Sequence, residues 1–504
     1  MLRFVRHGIV LLATILTIGF TSHSSAQAFS IDRIQGDNRY ETAVEISRQG
    51  FQAGASTVVI ARGNEFADAL AGAPLAKHLD APLLLSKTNK LPEAVQDELN
   101  RLKPDKVILL GGPNAISEKI RNQLVEEYHV NIRRIAGDNR YTTASRIADA
   151  MPSSNKAVVV NGSRFPDAMA AAPFAAKRGY PILLTKKTYN PGITRYAVGK
   201  VSETYIIGGE GVVDQSVERD LPNPTRISGD NRYETSAEVL RHLPLGRADE
   251  AYVVTGEEFA DGIAGAVLAA NNNDNVMLVE ENYVPNPIKL VIDERGFERF
   301  IVLGGYNAVD QYVDTELKLP IQLLLVNKQR GIPASYEPAR LVEPDVPFPF
   351  SDDREKRYMS DMAAGQLEKM FNAAWNDGVE LYAQSGFRSY ERQKEIHEAI
   401  TRNRGSEYAD RVSAEPGHSE HQTGLAMDVT SPEVNYRLIQ EFASTEEGRW
   451  VQNHAADYGF IIRYPKGREK DTGYTYEPWH LRYVGISIAQ YMDRTNRILE
   501  EYLR

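Results

Sequence analysis

A chain of 504 residues is too long for one hydrophobic core, which usually stops growing at roughly 250 to 300 residues, so several domains are required. With 42% apolar and 25% charged residues, the composition is that of a globular protein and excludes a disordered or membrane-embedded chain. The absence of cysteine excludes disulfides and thiolate chemistry, leaving His and carboxylates as metal ligands, and a net charge of −10 argues against general nucleic-acid binding.

At the start of the chain, Arg3, Arg6 and His7 precede an apolar run from Gly8 to Phe20, followed by the small-residue site Ala26-Gln27-Ala28. This pattern predicts a secretory signal peptide over 1–28 with cleavage after Ala28. The run is well short of the roughly 20 residues that a membrane-spanning helix needs, and no later segment reaches that length, so no span is expected after signal removal.

Self-similarity dominates the next two-thirds. Arg33-Ile34-Gln35-Gly36-Asp37-Asn38-Arg39-Tyr40 returns as 134–141 and again as 226–233, each copy followed by a helical pattern containing Thr42, Thr143 or Thr235. A Phe-x-Asp motif then recurs at Phe66/Asp68, Phe165/Asp167 and Phe259/Asp261, and Gly-Gly pairs at Gly111, Gly208 and Gly304 close each unit. Short apolar runs such as Thr57 to Ile60, Pro82 to Leu85 and Val107 to Leu110 alternate with helix-length segments, which reads as buried parallel strands between helices. Three α/β modules are therefore expected at 31–124, 132–220 and 224–319. The glycine pairs match no nucleotide-binding fingerprint.

Together these residues resemble the type 2 cell-wall-binding repeats of Gram-positive surface proteins. The resemblance implies three modules around a pseudo-threefold axis that hold the protein on an anionic cell-wall polymer. The chemistry of Arg39, Arg140 and Arg232 is compatible, because guanidinium forks suit phosphate and carboxylate groups, and repetition gives avidity. The alternative is structural: Asp and Asn cap the next helix while each Arg pairs locally with Asp68, Asp167 or Asp261.

Beyond Leu319 the rhythm breaks, and Leu323 to Lys328 leads into a proline-rich stretch from Pro333 to Pro349 that reads as a domain boundary. A helix is predicted from about Asp352 to Asp377, with Met362, Leu367, Met370 and Phe371 in the core. Chemistry concentrates in Ser385 to Tyr390, Pro416 to Val429 and Glu477-Pro478-Trp479-His480. These segments offer His, Asp and Glu without sulfur, the donor set of a hydrolytic zinc site with one position left for water. Gly424 between His421 and Asp428 fits a loop ligand, a sharp turn and a second ligand on a strand over Leu425 to Thr430. Pro478 restricts Glu477 to extended geometry, away from a helix.

Ser419, His421, Gly424, Ala426 and Asp428, with Glu-Pro-Trp-His at 477–480, resemble the VanY-type D-alanyl-D-alanine carboxypeptidases, and the likeness covers 323–504. The resemblance implies an α+β zinc peptidase domain in which His421, Asp428 and His480 bind Zn2+. By the same resemblance, Glu477 takes a proton from the attacking water, Arg388 polarises the scissile carbonyl, and Ser419 and Gln393 hold substrate. His397 and His454 read as structural, His418 as structural or supporting, and Trp479 as either core or a wall of the site. The expectation is a secreted, wall-associated zinc D,D-carboxypeptidase acting on peptidoglycan stem peptides. L,D-carboxypeptidase or endopeptidase activity stays open within the family, and a catalytically inactive wall-binding protein is the reading from another class.

Overall fold

The computed structural model describes residues 29–66, 68–69, 71–246, 249–352 and 354–504, so the expected signal peptide lies outside the described residues. Among them, no helix is long and apolar enough to cross a membrane.

Three four-stranded parallel sheets form the first part of the molecule, and each runs one strand past its own repeat. The first orders its strands Leu83–Ser86, Thr57–Arg62, Lys106–Leu110 and Asn131–Ile135, so its last strand precedes the second Gly-Asp-Asn-Arg turn. The second borrows Pro224–Ile227 in the same way. The third is completed by Ser30–Ile34, which pairs with Arg299–Leu303 and closes the ring between the two ends of the repeat array. These fourth strands escaped the sequence reading because much of each is left uncovered. The other runs, Leu83–Ser86 on the opposite edge included, are largely buried on both faces and read as continuous Val, Ile and Leu.

The repeated motifs build the seams. Asn38, Asn139 and Asn231 cap the helices that follow, each side chain accepting from the backbone N–H groups two and three residues on. Phe66, Phe165 and Phe259 meet on the pseudo-threefold axis, with ring centroids 5.7, 5.9 and 6.0 Å apart. Arg39 lies over Phe259 and Arg140 over Phe66, at 5.7 and 5.3 Å from the ring centroids. The local Arg–Asp pairing is thereby corrected: Asp261 feels Arg39, Asp68 feels Arg140 and Asp167 feels Arg232, each from another repeat. Burial pushes the Asp167 and Asp261 carboxyls up to about 6 against that attraction. The first glycine of each pair is left-handed, and a Cβ there would come within 2.3 to 2.6 Å of the Asp68, Asp167 or Asp261 carboxylate.

The C-terminal part is an α+β unit around an antiparallel sheet in the order Tyr382–Ser385, Ala426–Thr430, Glu477–Tyr483, Phe460–Tyr464. Met427, Val429 and Leu481 face a core made with Leu367, Met370, Phe371 and Trp450. The two-residue period of a strand sends Asp428, His480 and Arg482 to the other face. The predicted helix begins later than expected, at Asp361–Asn376, because the residues before it form a 3-10 turn at Glu355–Arg357 and a short strand at Met359–Ser360, with Gly386 N and Phe387 N donating to Lys356 O and Tyr358 O. Its Leu367, Met370 and Phe371 are buried as expected, but Met362 is 42% exposed.

The expected boundary at 323–328 is a shared, buried strap. Leu323 and Leu325 pack with Val484, Met492 and Leu499 of the peptidase part, while Leu324 and Val326 pack against Leu290 of the third repeat. Asn286 of that repeat donates to Leu325 O at 2.8 Å.

Candidate metal centre

His421 sits in a short 3-10 turn, Glu420–Thr423, that ends at the left-handed Gly424. A Cβ at Gly424 would press at 3.1 Å on Leu341 and the Ser360 backbone, so the turn needs glycine for both conformation and space. The chain then enters the strand carrying Asp428, which stands directly opposite His480 in the antiparallel register. Glu477 is the first residue of that partner strand.

The result is a convergence of His421, Asp428 and His480, all buried, with one ligand atom of each within 4.8 Å of the others. His421 Nε2 lies 3.4 Å from Asp428 Oδ2, and His480 Nδ1 lies 3.0 Å from Asp428 Oδ1. His421 Nδ1 donates to Gly386 O at 2.7 Å, which leaves Nε2 as its ligand atom. Two imidazoles and a carboxylate, whose buried Oδ1 makes the close His480 contact without hydrogen-bond geometry, fit a divalent ion such as zinc.

Electrostatics agree with that fit. Burial drives the His421 imidazole down to about 3, so it is neutral and able to donate a lone pair. For His480 burial acts in the same direction, but the Asp428, Glu420 and Glu477 carboxylates around it outweigh burial and raise it to about 9. Burial raises Glu477 to about 7, the range suited to a proton carrier at neutral pH. Its Oε2 is 3.9 Å from His480 Nδ1.

A cleft of about 250 Å3 opens over these groups, lined also by Arg388, Ser419, Tyr464 and Trp479. Trp479 thus serves as both a wall and a flank of the core. Arg388 Nη1 donates to Gln393 Oε1 at 2.8 Å and Nη2 to Ser385 Oγ at 3.2 Å. Gln393 also donates from Nε2 to Ser413 Oγ and Ala414 O, so its amide is committed to protein on both sides. Gln393, expected to hold substrate, thus contacts Arg388, Ser413 and Ala414. The other histidines are tied to the framework: His418 Nδ1 to Asn327 O, His454 Nδ1 to Trp450 O, and His397 to Asp410.

The sequence reading missed what lies behind the centre. Glu420, Arg463, Arg482 and Glu500 form a buried charge cluster in which Glu420 Oε1 accepts from Arg463 Nε at 2.8 Å and Arg482 Nη1 at 2.6 Å. Burial opposes the Glu420 charge, but Arg482 and Arg463 hold its carboxyl far below the usual range. Partners within the cluster lie 43, 37 and 62 residues apart, so no local motif announces them.

Residues 356–486 match the family described as D-alanyl-D-alanine carboxypeptidase (VanY). Residues 33–121, 134–218 and 226–314, together more than half of the chain, match cell wall binding domain 2. The chain is 34% identical over 184 residues to the bifunctional D-Ala-D-Ala dipeptidase and D-Ala-D-Ala carboxypeptidase VanXYC of Enterococcus gallinarum, covering 92% of that protein and 36% of this one. The chain belongs to the VanY carboxypeptidase family and carries three cell-wall-binding repeats. The putative carboxypeptidase YodJ of Bacillus subtilis is 51% identical over 36% of this chain and 66% of its own length. The N-acetylmuramoyl-L-alanine amidase LytC of the same organism is 40% identical over 58% of this chain and 59% of its own. The chain thus spans less than two thirds of either relative. Cwp6 from Clostridium difficile shares the fold over 74% of this chain and 62% of its own, with 23% identity and a TM-score of 0.56.

Proposed function

We propose that this chain is an exported, wall-bound zinc carboxypeptidase that removes a terminal D-alanine from peptidoglycan stem peptides, with a D,D-dipeptide terminus as the preferred substrate. The observation that carries the reading is the meeting of His421, Asp428 and His480 with Glu477 and Arg388 over a single cleft. The VanXYC relative, whose name gives D-Ala-D-Ala carboxypeptidase, supports the substrate class.

His421 through Nε2, Asp428 through its carboxylate and His480 through Nδ1 would hold the ion. Zinc there supplies a Lewis acid that polarises a carbonyl and acidifies a water molecule. Glu477 accepts a proton from the attacking water and passes it to the leaving amine. Arg388, locked by Gln393 and Ser385, presents its remaining N–H groups to the carbonyl oxygen or terminal carboxylate, and Ser419 offers a hydroxyl on the same wall. The repeats hold the enzyme on an anionic wall polymer. Two clefts on their seams, of about 570 and 660 Å3, bring in Arg232 and Arg39 respectively.

Mass spectrometry of products from defined stem peptides tests the reading. Loss of one D-alanine from a pentapeptide ending in D-Ala-D-Ala, with slow turnover of its C-terminal amide, is the expected result. Preference for the tetrapeptide would reassign the enzyme as an L,D-carboxypeptidase, and release of longer fragments as an endopeptidase.

A further inference from the structure

Glu420 precedes the ligand His421 and is fully buried, yet only half of its carboxylate is used by the arginines. Oε1 takes both guanidinium contacts, while Oε2 has no hydrogen-bond partner. His480 Nε2, on the ring edge opposite the ligand atom Nδ1, is likewise buried and unpartnered. The two atoms face each other at 3.6 Å, just outside hydrogen-bond reach. A buried donor and a buried acceptor left unmade are each costly, so a small closing movement is favoured.

The surroundings explain why a carboxylate stands here and what keeps it in place. Arg463 also binds Glu500 through two contacts of 2.9 and 2.6 Å, which makes the cluster two cations against two anions. Arg482 donates from Nη2 to Gln322 O at 3.0 Å and to Leu324 O at 2.8 Å, both on the strap that leads from the repeats. Asn327, further along the strap, donates to Glu500. A continuous path of buried polar contacts therefore runs from the strap through Arg482 to Glu420 and on to the metal ligand.

We infer that Glu420 is a positioning residue for the metal centre: it accepts a hydrogen bond from His480 Nε2–H, fixes the tautomer that frees Nδ1 for the ion, and is itself aimed by Arg482 and the strap. This rests on the reading that His421, Asp428 and His480 bind zinc. A carboxylate behind a metal-bound imidazole orients the ring and strengthens its donation, and loss of such a partner typically weakens metal affinity about 10- to 100-fold.

Zinc titration of the full chain and of Glu420→Gln tests this, with the unfolding transition of each metal-free protein measured alongside. The amide keeps the shape and one oxygen for the arginines but supplies no charge to His480. A folded variant whose zinc dissociation constant rises about 10- to 100-fold is the expected result. A folded variant that binds zinc as tightly as the parent overturns the inference, whereas a parent chain that takes up no zinc overturns the underlying site. Should the variant fail to fold, spectra of isotope-labelled histidine in the zinc-loaded parent decide. Zinc on Nδ1 and a proton on Nε2 of His480 support the inference, and zinc on Nε2 overturns it.

Discussion

Glu477 and His480 lie on one strand of the peptidase sheet, three positions apart, and have separable tasks. On the proposed reading, Glu477→Gln removes the proton acceptor and leaves His421, Asp428 and His480 untouched. Zinc content should stay near one ion per chain while turnover falls about 10²- to 10⁴-fold, the usual effect of losing a general base. His480→Ala should lose the ion and the activity together, as metal analysis and peptide hydrolysis on the same samples would show. Near-parental turnover in the Gln variant would remove Glu477 from the mechanism. At this scale the sequence was informative wherever the chemistry is local: His421 and Asp428 are seven residues apart and flank an obligatory glycine, and Pro478 marks the extended start of the third segment. It was silent on Glu420 with Arg463 and Arg482, which are 43 and 62 residues apart and have no motif to announce their pairing. For Gln393 the sequence does not give the hydrogen bonds, because a side-chain amide reads the same beside a ligand as beside an arginine and a carbonyl.

Elements were legible in proportion to how far their burial was determined by their own sequence. Strands whose two faces are both covered, the edge strand Leu83–Ser86 included, match their apolar runs closely. Ser30–Ile34 and Asn131–Ile135 are covered over only part of their length and carry no such run. The strap at 323–326 alternates, with odd positions packed into the C-terminal domain and even positions onto Leu290. Leu323 is 1% exposed, so Leu323→Ala should destabilise the peptidase part by about 2 to 5 kcal/mol, measurable by denaturant unfolding of residues 323–504. That piece retains Leu323 and Leu325 in its core and should fold and hydrolyse soluble stem peptides alone. Its newly bared Leu324 and Val326 should make it self-associate more than the full chain in sedimentation experiments. A Leu323→Ala variant as stable as the parent would show that the strap merely rests on the peptidase.

On the scale of the whole molecule, the proposed function divides the work between a ring of repeats that holds and a C-terminal domain that cuts. The third repeat is built for its neighbour. Lys87 and Lys186 stand over Tyr40 and Tyr141 in the first two repeats, whereas Glu280 occupies the corresponding place in the third, and Arg330 from the strap stacks 4.2 Å over Tyr283 nearby. Arg330 also reaches Glu316 at 2.8 Å, so a cation from the peptidase side docks onto the altered repeat. An enzyme tethered in this way should gain nothing on a small soluble peptide and much on an insoluble wall, where binding through the repeats turns each encounter into a local search at high effective concentration. The full chain and residues 323–504 should therefore cleave a soluble stem peptide at similar rates, while the full chain releases D-alanine from purified walls faster at equal enzyme concentration. On the proposed reading that the repeats meet an anionic polymer through the seams holding Arg39 and Arg232, that advantage should shrink as salt rises, with the soluble rate much less affected. Residues 29–319 should sediment with walls without cutting them, and walls stripped of their secondary polymer should abolish both sedimentation and the rate advantage. An advantage that survives stripping would place the anchor's ligand in the peptidoglycan itself, and one absent from intact walls would mean that the repeats do not deliver the enzyme to its substrate.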